Sequence, residues 1–392
     1  MPPPSTPRAR SDRRARRRRA RARRLGLAVV AMTLAAGGGA FAIATRGSDR
    51  ATRVAPRPAV STSSTSTAPT TTTTLRDPRR GNGQPVSFAF GGDVHFEGAL
   101  RSKLLGDPAG VLAPIAPVLS LADLAMVNLE TAITERGTPY VKKYNFRAPA
   151  VALDALRAAG VDVTTVANNH GLDFGDEGMA DTIAAAAEKQ FPVLGIGNNL
   201  LEAYAPYRAE IKGQRIAVFG ATDVLDGEYV TAWAATDTQG GLASAKEGNL
   251  GLLVGAIQNA RVYSDTVVVF LHWGVERQGC PSPRQQEVAQ VLTDAGADIV
   301  VGSHAHQLQG GGRFNTSFVD YGLGNFVFYN ETGEYGRSGV LVVTATGRDI
   351  DSYQWVPARI RGGVATPLPA GAEADVEIAH WNELRACTGL AP

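Results

Sequence analysis

Five of the six histidines of this 392-residue chain fall in four short motifs, and each motif follows an apolar run. SFAF leads into GGDVH (Asp93, His95), and TTV leads into ANNH (Asn168, Asn169, His170). VVVFL leads into HWGVE (His272, Trp273, Glu276), and DIVV leads into GSHAH (His304, His306). A fifth run, LAMV, ends in NLE (Asn128, Glu130) and adds a carboxylate. Imidazole, carboxylate and amide oxygen without thiolate form the donor set of a hydrolytic metal centre, where cations clamp a substrate and acidify a bound water. Glu130 has two oxygens and can bridge two cations.

Each motif also has a plainer reading. An Asp after Gly-Gly is often a turn residue, although the glycines also let a strand break so that Asp93 and His95 face one ion. In ANNHGLDFG, Asp173 and Asn168 can bond backbone, and Asp176 can cap the helix that follows. That explains the aspartates better than it explains adjacent Asn, Asn and His. His304 and His306 point the same way if the backbone stays extended. Trp273 suits either the core or the wall of a substrate cleft. GIGNNL, from Gly195, lacks the third glycine of a dinucleotide fingerprint and reads as a tight turn. His380 reads as a tail residue.

The apolar runs predict strands at 86–91, 124–128, 161–166, 192–195, 206–211, 215–220, 265–271, 298–302 and 317–321, with a late pair near 339–345 and 350–359. Helices are expected at 110–121, 150–159, 176–189, 247–262 and 283–295. The second and fifth end at glycine, as a left-handed C-cap requires. Strand–helix alternation gives parallel strands and an α/β class, with an antiparallel edge from the late strands. Ligands of such sheets gather beyond the carboxyl ends of the strands, where all five motifs lie.

The net charge of +2 hides an asymmetry. Residues 1–80 hold 18 arginines and 3 aspartates, a charge of +15, which leaves −13 for the rest. The arginine block precedes 20 uncharged residues, Leu25 to Ala44, long enough to cross a bilayer. The positive-inside rule then puts residues 1–24 in the cytoplasm and the remainder outside, on a single transmembrane helix. A cleaved signal peptide is the alternative, with small-residue sites at Ala40-Phe41-Ala42 and Ala42-Ile43-Ala44. Residues 45–84, rich in Ser, Thr and Pro, read as a disordered linker. The folded domain is expected at 85–365, with a tail at 366–392. Cys280 and Cys387 permit one disulfide outside the cytoplasm. The basic block so placed argues for topology rather than for nucleic acid.

In order, GGDVH, NLE, NFRAP, ANNHGLDFG, HWGVE, GADIVVGSHAHQLQG and YGLGNF resemble the bacterial capsule-synthesis CapA family over about residues 86–345. The resemblance implies poly-γ-glutamate capsule biosynthesis and a calcineurin-like metallophosphatase fold, a four-layer α/β/β/α sandwich. It implies two divalent ions, Mn, Fe or Zn, and membrane tethering with the domain facing outward. Asp93, His95, Glu130 and His306 would hold one ion; Glu130, Asn169, His272 and His304 would hold the other. His170 would be the catalytic acid beside the leaving group. Asn128, Asn168, Asp173, Trp273, Glu276 and Asn325 would support the ligands or touch substrate. The implied partners are a capsule or envelope polymer or phosphoester and other membrane synthesis proteins. Two departures are visible: many relatives lack a histidine at the position of His95, and GSHAH carries alanine where the family often has proline.

Overall fold

The computed structural model describes residues 77–225 and 227–392. The basic tail, the apolar run Leu25 to Ala44 and the linker up to residue 76 lie outside the described residues. Among the described residues no helix is long and apolar enough to cross a membrane.

Fourteen strands build two main sheets. In chain order they are β1 (Val86–Val94), β2 (Leu124–Leu129), β3 (Val163–Thr165), β4 (Val193–Leu194), β5 (Tyr207–Ile211), β6 (Gln214–Thr222), β7 (Thr266–His272), β8 (Ile299–Ser303), β9 (Gly311–Phe314), β10 (Ser317–Asp320), β11 (Asn325–Val327), β12 (Arg337–Thr346), β13 (Asp349–Arg361) and β14 (Val364–Pro367). The first sheet has the order β11-β14-β13-β12-β1-β2-β3-β4, with β11 also pairing β1; the second runs β9-β10-β8-β7-β6-β5. Strands β1 to β4 are parallel, as are β6, β7, β8 and β10. The late hairpin β12–β13 is antiparallel, as its missing crossover helix requires.

The larger helices are α1 (Ala99–Gly106), α2 (Val151–Ala158), α3 (Gly175–Lys189), α4 (Leu250–Tyr263), α5 (Pro283–Ala295) and α6 (Ala372–Leu384). The two sheets meet through Phe88, Phe90, Met126, Val218, Phe270, Val301 and Leu341. The outer face of the first sheet packs on α1, α2 and α3, and that of the second on α4 and α5. The layer order is therefore helix, sheet, sheet, helix. Strands buried on both faces read as continuous apolar runs, as β7 and β8 do. α5 starts in a capping box between Ser282 and Gln285 and stops at left-handed Gly296.

The helix expected at 110–121 shrinks to Ala116–Leu119 with turns before it. Pro114 and Pro117 each withhold a backbone N–H, which limits a longer helix there. Residues 77–84, inside the expected linker, touch the domain: Arg80 pairs with Asp349 at 2.8 Å, and Gln214 Nε2 donates to Arg80 O and Gln84 O. Residues 366–392, read as a tail, hold α6. Trp381 of α6 stacks on Trp355 of β13, and Glu377 binds Arg337 at 2.7 Å and Arg359 at 2.5 Å. His380 lies 3.3 Å from Glu334.

Cys280 and Cys387 form the disulfide, with Cα atoms 5.8 Å apart across 107 residues of sequence. A closed loop of that length restricts the unfolded chain strongly. Replacing both cysteines by serine should cost roughly 2–5 kcal/mol. Urea unfolding of the two proteins measures this, and coincident midpoints would show that the bridge adds no stability.

Asp320 at the end of β10 is fully buried. Burial, opposed by the Gly322 N–H and the nearby Trp381 indole, pushes its carboxyl up to about 7. The native state thus keeps a proton that the unfolded chain has released. This contribution to stability is fully present below the unfolded pKa near 4 and is lost as pH rises through 7, on the order of 4 kcal/mol in all. Asp320→Asn should flatten that decline. The free energies of unfolding at pH 5 and pH 8 test it; an unchanged pH dependence in the variant would assign the decline to other groups.

Candidate metal centre

The site is assembled where β1, β2, β3, β7 and β8 end. β1 carries an irregularity, its register against β2 shifting between Phe90 and Asp93. A Cβ on Gly92 would lie 1.9 Å from Gly324 O, and one on Gly91 would lie 2.9 Å from the Phe326 ring. Only glycine lets the strand pass this close, and beyond it Asp93 pairs in register with Asn128 on one side and Asn325 on the other.

Two donor sets share one residue. Asp93, Glu130 and His306 form one, and Glu130, His272 and His304 form the other, with the donor atoms of each set within 4.8 Å of one another. Glu130 Oε1 lies 3.5 Å from His272 Nε2 and 3.9 Å from His306 Nε2. His304 Nδ1 is 3.0 Å from His272 Nε2, and Asn169 Oδ1 is 2.7 Å from the same nitrogen. His306 Nδ1 is 3.4 Å from Asp93 Oδ2. His95 falls in neither set. Its Nδ1 accepts the Glu97 N–H at 3.1 Å, its ring stacks on Phe146, and its Nε2 is buried without a partner.

The His-x-His pair is not made by an extended strand, as the sequence suggested. His304 has φ 105° and His306 φ 54°, so both lie in a turn beyond β8. Positive φ is costly for residues with a Cβ and concentrates at functional sites. Here the turn brings His304 Nδ1 to His272, and lets the His304 N–H donate to Asp93 at 3.1 Å.

The electrostatics fit a bound cation. Burial keeps His95 and His304 neutral, with pKa values pulled to about 3, and holds His272 well below the usual range. A neutral imidazole offers the lone pair a metal needs. Burial and the charge of Asp93 push Glu130 well above the usual carboxylate range, and both its oxygens are buried without a hydrogen bond. Burial also opposes a charge on Asp93, but His306 and His272 hold its carboxyl low. Burial works against a charge on His306, yet Glu130 and Asp93 overcome it and raise His306 to about 9. An unpartnered buried carboxylate beside neutral imidazoles lacks the charge that a divalent ion would supply.

The supporting residues form a chain of amides. Asn128 Nδ2 donates to Asp93 Oδ1 at 2.7 Å, Asn168 Nδ2 to Asn128 Oδ1 at 3.0 Å, and the His170 N–H to Asn168 Oδ1 at 3.0 Å. Asn325 Oδ1 holds His306 Nδ1 at 2.8 Å. His170 Nδ1 meets Asp173 Oδ2 at 2.7 Å, and its Nε2 faces Glu130 at 4.0 Å. Lys142, which carried no signal in the sequence, pairs with Asp173 at 2.6 Å and also bonds the Asn169 carbonyl. Glu276 lines the open cleft above His170 and His306. Trp273 does not: it is fully buried in the second core, stacks on Tyr321 and donates to its carbonyl at 2.8 Å.

This is an α/β protein of two packed sheets with an imidazole–carboxylate centre at the strand ends. The chain belongs to the family of bacterial capsule synthesis proteins PGA_cap, which it matches over residues 87–330. It is 34% identical over 271 residues to the capsule biosynthesis protein CapA of Bacillus anthracis, covering 67% of this chain and 64% of that one. It is 32% identical over 264 residues to the PGA biosynthesis protein CapA of Bacillus subtilis (strain 168), covering 63% and 66%. The chain thus spans just under two thirds of the length of each. Among solved structures it is similar to a hypothetical protein from Thermus thermophilus, with 18% identity, a TM-score of 0.45, and coverage of 70% of this chain and 99% of that one.

Proposed function

We propose that this protein is a metal-dependent hydrolase of the metallophosphatase type, acting outside the cell membrane in the synthesis or export of a capsule or envelope polymer. The observation that carries the reading is Glu130, a fully buried carboxylate with both oxygens unpartnered and common to two donor sets. Asp93, Glu130 and His306 would hold one divalent ion, and Glu130, Asn169, His272 and His304 the other. His95 Nε2, buried and unpartnered, lies outside both donor sets but would join the first side as the family resemblance implies. Mn, Fe and Zn all suit imidazole with carboxylate. Two such ions supply Lewis acidity and a hydroxide at neutral pH.

The protein's own groups do the rest. Water oxygen bonds to phosphorus while the bond to the leaving oxygen breaks. His170 must carry both ring protons to protonate that oxygen: Nδ1–H stays on Asp173 and Nε2–H passes to the leaving oxygen, a state that burial disfavours and the Asp173 carboxylate supports. Poly-γ-glutamate contains no phosphorus, so the phosphoester would be an envelope component rather than that polymer. The names of the two relatives favour the capsule pathway, and the disulfide suits an oxidising location. An anchor at Leu25 to Ala44 would place the domain at the outer surface.

The test is metal analysis of the full chain together with a screen of phosphoesters and isopeptide polymers. Two equivalents of metal with phosphate release support the reading. Tight polymer binding with no metal and no turnover would instead make the protein a scaffold. Protease added to intact cells should digest the domain; full protection behind a sealed membrane would contradict the outward orientation.

A further inference from the structure

Arg277 lines the cleft above the donor sets together with Glu276, His170 and His306. It is the one permanent cation in that lining, and Glu276 is the one carboxylate. Both side chains are exposed. Neither has an ion-pair partner among the described residues, so they do not pair with each other. Their charges cancel, and no diffuse field of either sign follows from the pair. Recognition of a charged group here needs direct contact.

An exposed arginine is commonly just a solvated charge. The backbone sets this one apart. Arg277 has φ 67°, a left-handed conformation. A residue with a Cβ adopts it at a cost and keeps it only where its surroundings hold it, as at ligand clamps. The surroundings do so here. The Arg277 N–H donates to Ala305 O at 2.9 Å, in the turn between His304 and His306. Fully buried Gln309 donates from Nε2 to Gln278 O at 2.8 Å and to Cys280 O at 3.2 Å, and its Oε1 accepts from Gln285 of α5 at 2.8 Å. The disulfide then ties Cys280 to Cys387. The loop is thus anchored on the histidine turn, on α5 and on the C-terminal segment, while its guanidinium stays uncommitted. A planar fork of N–H donors with no acceptor matches the oxygen pair of a carboxylate or a phosphate.

We infer that Arg277 is a specificity-determining residue, its guanidinium binding an oxyanion of a phosphoester substrate at the mouth of the cleft. This rests on the phosphoester reading above. The oxygen pair belongs either to the phosphoryl group itself or to a second acid group of the substrate.

The experiment is calorimetric binding of inorganic phosphate, 2-hydroxyethyl phosphate and 2-phosphoglycolate to the full chain in manganese buffer, with phosphate release followed in parallel. The two esters match in size and differ by one carboxylate. Arg277→Ala should weaken at least one ester by about tenfold or more, the usual loss for a hydrogen bond to a charged group. Metal content should not change, because Arg277 belongs to neither donor set. Arg277→Lys keeps the charge without the planar fork and should bind more like the alanine variant than like the wild type. A loss confined to 2-phosphoglycolate assigns Arg277 to a second acid group; equal losses on all three ligands assign it to the phosphoryl oxygens. Unchanged affinities in Arg277→Ala would overturn the inference. So would full recovery in Arg277→Lys, which would leave only the charge. Phosphate release at unchanged kcat/KM in Arg277→Ala would overturn it and spare the hydrolase reading. Arg277-dependent binding with no release would sink the hydrolase reading and leave this one standing.

Discussion

Glu130→Ala should strip the protein of metal. In the wild type, both carboxylate oxygens are buried and unpartnered, within reach of His272 and His306 at 3.5 and 3.9 Å. Removing them takes a donor from both sets and the negative charge that would separate two cations. The imidazoles cannot replace that charge. Metal per chain, measured by emission spectrometry after gel filtration, should fall from two to below one. Glu130→Gln should fall nearly as far, since it keeps the shape and loses the charge. Retention of two ions in either variant would return Glu130 to a structural role.

His170→Ala should do the opposite, keeping metal and losing turnover. His170 belongs to neither donor set. Its Nδ1 is committed to Asp173 at 2.7 Å, and its Nε2 looks toward the cleft past Glu130 at 4.0 Å. A general acid contributes typically about 10²–10⁴-fold. Hydrolysis of an alkyl phosphate should fall by about that range at unchanged metal content. A substrate with a good leaving group, such as p-nitrophenyl phosphate, needs less protonation and should lose less. Equal losses on both substrates would assign His170 to positioning. Loss of metal would make it a ligand.

Much of this was legible in the chain. The runs VVVFL and DIVV marked buried parallel strands because such strands need no polar face, and their tails are where a parallel sheet gathers its ligands. Glu130 stood out because the run before Asn128, Leu124 to Val127, is wholly apolar. Other features were hidden for physical reasons. The positive φ of His304 and His306 was not legible, because histidine adopts such a conformation only occasionally and no glycine or proline marks the turn. Trp273 sits one residue past the candidate donor His272, but its neighbour Gly302 leaves room for the indole in the core. Lys142 meets Asp173 across 31 residues of sequence, a pairing no local pattern encodes. The helix α6 held no motif, and its order follows from Trp381, Glu377 and the disulfide rather than from periodicity.

The central claim is a pair of cations bridged by Glu130. Anomalous scattering from crystals of the metal-loaded protein measures it directly, with data above and below the metal absorption edge. The account predicts two peaks flanking the Glu130 carboxylate, one among Asp93, His306 and His95, the other among His272, His304 and Asn169. A single peak, or peaks remote from Glu130, would contradict it.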